Sequence, residues 1–260
     1  MTAAPGTFAP RPGAAPVPRM VLAQAALEVR LLLRNGEQVL LTLAIPVVLL
    51  LGLTLTTVVD LGSSGRGGRV DVVAPGVIAL AVMSSAFTGQ AIATGFERRY
   101  GVLKRLATTP LPRAGLLTAK TLAVVALEVV QVALLATVAL LLGWSPAGSA
   151  VAAALLVVTA TAAFSGLALL MAGTLRAETT LAAANLVYLV LLGAGGVVVP
   201  LDRYPEAVQG PLSLLPLGAL TQGLRQALAD GAGWPWASVG VLLGWAVLGS
   251  AAAARTFRWE

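Results

Sequence analysis

Glu128 is the ionisable residue that lies deepest in an apolar run. It is the only charge between Lys120 and Arg176. It stands eight residues beyond Lys120, which is about 12 Å along a helix. Gln131, three residues on, shares its helical face. Asn185 and Tyr188 form a second polar pair at the same spacing. Such groups inside an apolar run can line a substrate path, hold a proton, or join helices through hydrogen bonds. The pattern leaves these uses open. A central charge costs about 2.5–3.5 kcal/mol on insertion scales. Apolar neighbours return roughly 0.3–0.6 kcal/mol each, so a span tolerates one such residue.

Bond-breaking chemistry finds little to work with. The chain has no Cys and no His. That excludes thiol chemistry, disulfides, a Ser-His-Asp triad, and metal sites that need those ligands. No G-x-x-x-x-G-K-[ST] loop occurs, so no ordinary ATP-binding P-loop is present. The glycine clusters GRGG (65–68) and GAGG (193–196) do not qualify. The first reads as an outside loop, and the second as close helix packing within a span. No carboxylates are paired in a catalytic spacing, and the chain does not read as an enzyme acting alone.

Charge gathers instead in FERRYGVLKRLATTPLPR, Phe96–Arg113, which holds five of the 17 Lys and Arg residues. Glu97, Arg98 and Arg99 leave an apolar run. YGVLKRLA has the length for about two helical turns. TTP ends that helix, because proline removes a donor and restricts the residue before it. Leu103, Leu106 and Ala107 lie to one side of it, and Lys104 and Arg105 toward the other. LPRAGLLTAK then turns back, which puts Lys120 at the membrane surface. On charge alone this is a juxtamembrane loop that sets topology and meets anionic lipid. The net charge of +6 does not indicate nucleic acid, since the basic residues cluster beside apolar runs.

The elements that position these residues follow from composition. Hydrophobic residues make up 58% of the chain and charged residues 11%, and mean hydropathy is +0.90. A soluble domain carries about 25% charge; this composition belongs to a polytopic membrane protein. Gaps between charges locate six spans of about 20 apolar residues, at about 38–59, 74–95, 116–142, 150–173, 180–200 and 234–254. Residues 1–19 hold five prolines and read as a disordered tail. Residues 20–36 form an amphipathic interfacial helix, with Leu22, Ala26, Val29 and Leu33 on one face and Gln24, Glu28, Arg30 and Arg34 on the other. Residues 205–228 carry too many Pro and Gly for a straight span and read as short re-entrant helices. With six spans, thirteen Lys and Arg share the side of both termini. Only Arg66, Arg69, Arg203 and Arg225 lie opposite. The richer side is cytoplasmic.

The order of residues in the basic loop adds more. Glu97, Arg98, Gly101, Leu103, Arg105, Leu106, Thr109, Pro110, Leu111, Leu116, Leu117 and Lys120 resemble the loop of ABC-2-type transporter permeases, membrane subunits of bacterial ABC exporters. Arg99 and Tyr100 stand where that family usually has a second acidic residue. The resemblance extends to the leading amphipathic helix, the six spans and LSLLPLGALTQGLRQAL (212–228). It implies an all-α polytopic fold with six transmembrane helices, an interfacial helix, a cytoplasmic coupling helix at about 97–111 and re-entrant extracellular helices. It implies a dimer of permeases, a homodimer here, in the plasma membrane of a bacterium, with two separate ATPase subunits that bind the ATP and Mg. The coupling residues would be Glu97, Arg98, Arg99, Gly101, Leu103, Lys104, Arg105, Leu106, Thr109, Pro110 and Leu111. Glu28, Arg30 and Arg34 would add contacts from the interfacial helix. Glu128, Gln131, Asn185 and Tyr188 are the candidate substrate path. A small lipophilic drug- or antibiotic-like cargo suits the short outside loops. A lipid-linked glycan or polysaccharide, or proton-coupled transport through Glu128, is the alternative.

Overall fold

The computed structural model describes residues 13–56, 68–231 and 233–256. The first twelve residues of the proline-rich tail, most of the loop containing GRGG, and Arg258 lie outside them. Among the described residues there is no strand. Six helices among the described residues are long and apolar enough to cross a membrane.

Helix α1, Val17–Arg34, starts three residues before the predicted interfacial helix, because Pro18 fits a first helical turn, where no donor is needed. Asn35 ends α1, and its side chain accepts from Gln38 N at 3.4 Å. It thereby caps α2, Gly36–Leu55, the first span. The second span is α3 (Arg69–Met83), a π-helical segment (Ser84–Gly89) and α4 (Gln90–Arg99) in one run. Its apolar stretch is 83% buried, against 11% for α2, so it is the centre of the bundle. At 31 residues it is about 46 Å long, beyond the ~30 Å of a bilayer core. Its last residues therefore emerge from the membrane, carrying Glu97, Arg98 and Arg99.

A five-residue helix, α5 (Val102–Leu106), precedes the third span, α6 (Arg113–Leu141). The fourth and fifth spans are α7 (Ala150–Thr174) and α8 (Ala177–Ala194). Helix α8 stops six residues short of the predicted end, because the backbone turns at Gly195 and Gly196, the latter at φ +66°. Two short helices follow, α9 (Glu206–Ser213) and α10 (Pro216–Leu228), and then the last span, α11 (Trp236–Thr256). Small residues set the α7–α11 contact: a Cβ on Gly166 would lie 2.7 Å from Ser250 N.

Helix α10 is held at one end of the bundle. Arg225 donates to the carbonyls of Gly196 (2.7 Å) and Val197 (2.9 Å). The carbonyl of Ala227 accepts from Ser149 N at 2.7 Å. The basic loop and the α7–α8 junction lie at the other end. Where α3 passes the 195–197 turn, Gly76 allows backbone to meet backbone, and a Cβ there would fall 2.1 Å from Val197 O. Gly76→Ala is expected to cost roughly 1–3 kcal/mol by overpacking, read as a lower midpoint in heated size-exclusion runs. Gly240→Ala, with open space around its Cβ, should leave the midpoint in place. Equal midpoints for both variants would contradict this packing.

Candidate functional site

The basic loop stands on an ion-pair clamp. Lys120, on α6, is only 5% exposed. Its Nζ lies 2.6 Å from Glu97 Oε2 of α4 and 3.1 Å from Glu28 Oε1 of α1. Gln24 Nε2 donates to the same Glu28 oxygen at 2.8 Å. A buried ammonium is costly unless paired, and here two carboxylates from two other helices answer it. Glu28 therefore turns inward, away from Arg30 and Arg34, which are exposed. Val21 and Ala25 pack with Ala119 on the same side of α1, while Leu22 and Leu33 face out.

Above the clamp, the predicted 97–111 helix is divided. Helix α4 runs through Arg99, and Gly101 breaks it at φ +73°, a left-handed conformation that glycine adopts without strain. Phe96 stacks on Tyr100 with ring centroids 6.1 Å apart. After α5, Thr108 and Thr109 donate from Oγ1 to the carbonyls of Arg105 (2.7 Å) and Leu106 (2.6 Å). These bonds close the helix end before Pro110. Leu103 is fully buried against Leu116, with Leu106, Leu111 and Leu117 around them. Leu103 therefore anchors the loop to its own chain and is not offered to a partner. The exposed crest is Val102, Lys104, Arg105 and Ala107–Pro110.

Two other expected contact residues are engaged within the chain. Arg98 donates to the carbonyl of Leu175, and Arg99 pairs with Glu178 at the start of α8. They tie the loop to the α7–α8 junction. The Arg99–Glu178 pair is exposed on both sides, so it registers the two segments more than it stabilises them.

The intramembrane polar residues divide among different neighbours. Gln131 is buried; its Oε1 accepts from Ser85 Oγ at 3.0 Å, and its Nε2 donates to Thr42 O at 2.8 Å. It joins α6 to α2 and to the π-helical segment. Glu128 is also buried but faces α7, where it meets Thr161. The shared face read from their spacing is thus split between two contacts. Asn185 lies exposed on α8, and Tyr188 is half-buried against the core, so this second pair does not converge with Glu128. A further pair, Ser165 Oγ donating to Gln90 Oε1 at 2.7 Å, links α7 to α4.

The family model described as ABC-2 type transporter matches residues 21–229. This chain belongs to that family. Among curated proteins, none matches it. The match starts inside α1 and ends just past α10, so the clamp, the loop and the five preceding spans all lie within it. The chain is a multi-pass permease subunit of an ABC transporter, a family that implies an ATPase partner. No cluster of acidic residues that could hold a metal ion occurs among the described residues.

Sequence reasoning found both carboxylates and the lysine of the permease's clamp but not their meeting, and it missed Glu178 and Thr161. Glu97 and Lys120 bracket the loop, and that opposite-charge bracket was the one local signal of a closed base. Lys120→Met should lower the unfolding free energy by about 3 kcal/mol, because it strands two carboxylates. The triple variant K120M/E28Q/E97Q should recover most of that loss in thermal melts. A triple variant no more stable than K120M would contradict the clamp.

Proposed function

We propose that this permease works in an ATP-driven exporter that moves a small lipophilic compound out of the cytoplasm or the inner leaflet. In this reading two copies form the membrane unit in a bacterial plasma membrane, with both termini cytoplasmic. Two ATPase subunits, which bind ATP and Mg, seat on the basic loops. The observation that carries the reading is the exposed crest of Lys104, Arg105 and Ala107–Pro110 on a base that its own chain immobilises through Leu103 and Lys120. Arg30 and Arg34 of α1 are also exposed and add basic charge for an acidic partner.

Mechanical transmission follows from how the crest is tied. A push on α5 reaches α6 through Leu103 and Leu116, and α1 through Lys120 and Glu28. It reaches the α7–α8 junction through Arg98 and Arg99. Three spans and the interfacial helix thus receive one displacement, and coupling needs such a rigid element with two positions that both partners bias. Proline and the threonine caps hold the crest at fixed length. The α9–α10 pair, closing the opposite end, acts as the outer cap.

Arg105 is exposed and lies outside the clamp, so its reversal tests docking without disturbing the fold. Arg105→Glu is expected to leave nucleotide hydrolysis measurable in the assembled complex while transport falls about tenfold, a normal size for coupling between sites. Transport at the unmodified rate would remove the support for docking through this crest.

A further inference from the structure

Coupling leaves unused a cleft on the outside of the bundle. It lies between α6 and α7, reaches α10 at one end, and encloses about 510 Å³. Val129, Val132, Ala154 and Val158 typify its walls, and Glu128 is the one ionisable side chain among the residues that line it. Val129 is 66% exposed and Val158 51%, so the cleft opens sideways to lipid. Glu128 itself is 1% exposed, and its Oε1 has no hydrogen-bond partner among the described residues. The lining continues from Glu128 to Leu140, about 18 Å along α6, toward the α10 end.

The hydrogen bonds around Glu128 admit two protonation states. Thr161 Oγ1 lies between Glu128 Oε2 and the carbonyl of Val157, the latter at 2.7 Å. A hydroxyl has one proton to give. If Glu128 is a carboxylic acid, it donates to Thr161, and Thr161 keeps its bond to the carbonyl. If Glu128 is a carboxylate, Thr161 turns its proton to it, and Oε1 remains a charged acceptor in an apolar wall. That second state is costly without a cation beside it.

We infer that this cleft binds a lipophilic amine, with the nitrogen held at Glu128 Oε1 and the apolar body laid along α6 and α7. The inference rests on the reading of the permease as a carrier of small lipophilic cargo, and it names the class. The volume is that of a drug-sized pocket, about 300–1,000 Å³. An apolar body without charge would fill the cleft but leave Oε1 unanswered. A hydrophilic cation would answer Oε1 but not cover the valines. The chemistry balances within the site: a neutral amine arrives through the bilayer, the Glu128 O–H bond breaks, and an N–H bond forms. The product is a carboxylate–ammonium pair with no net change in charge.

The test is a titration of the purified full-length permease in phosphatidylcholine nanodiscs. The probes are a dansylated long-chain tertiary amine and its uncharged amide isostere. The unmodified protein should bind the amine about tenfold more tightly than the amide, the size of one charge-assisted hydrogen bond. Glu128→Gln should abolish that preference, and Ala154→Trp should weaken both ligands by filling the cleft. Ala154 is exposed, so this variant carries the test if Glu128→Gln fails to fold. An amine preference that survives Glu128→Gln, or tight binding to Ala154→Trp, would overturn the inference. So would the absence of saturable amine binding, the result if a lipid chain or a second copy fills the cleft. The titration contains no ATPase and no nucleotide, so its failure leaves the transport-subunit reading standing. Failure of that reading shows only in the coupled transport assay.

Discussion

Lys120 carries its charge into a place from which water is nearly excluded, and three helices are arranged around it. An ammonium at 5% exposure must be paired or neutralised. Glu28 arrives from α1 and Glu97 from α4, so the pairing fixes how α1, α4 and α6 stand to one another at one end of the bundle. Leu116 lies one helical turn from Lys120 on the same stripe of α6, and it receives Leu103. The ion pairs and the leucine packing are therefore adjacent layers of one base. The long second span serves the same end, since only its overrun brings Glu97 past the bilayer core to meet Lys120.

Within the bilayer the same rule acts on smaller groups. Lipid offers no hydrogen bonds, so side-chain polar groups find each other or a carbonyl. Gln131 with Ser85 and Thr42, and Gln90 with Ser165, are such pairs, and each joins two spans. They hold α6 and α7 onto the central helix, while the Arg225 bonds hold α10 across the far end. Glu128 meets Thr161 through one oxygen, and its other oxygen has no hydrogen-bond partner among the described residues. The bundle is thus braced at both ends and along its axis, and Glu128 lines the cleft that opens sideways.

Much of this was legible in the sequence, because charge gaps and hydropathy report directly on transfer into lipid. All six spans were found that way. Their ends were less legible, because backbone geometry decides them. Residues up to Pro200 are apolar enough to continue the fifth span, but Gly195 and Gly196 turn the chain at Ala194. Pro18 looked like part of a disordered tail, yet a first helical turn accepts proline. The loop exposes a different limit. Amphipathic spacing shows that Leu103 must be covered, but not whether its own chain or a partner covers it. Glu28 and Lys120 are 92 residues apart, beyond any local pattern.

The central claim is that the immobilised crest of the basic loop is the surface on which the ATPase sits. The chain contains no cysteine, so Thr108→Cys on the crest and Ser145→Cys at the opposite end each give a unique label. The direct measurement is the rate of maleimide labelling of each variant in nanodiscs, with and without the ATPase partner. The account predicts that the ATPase slows labelling at 108 about tenfold, as burial in an interface with shape complementarity would, and leaves 145 unchanged. Equal rates at 108 with and without the partner, or protection at 145 alone, would contradict it.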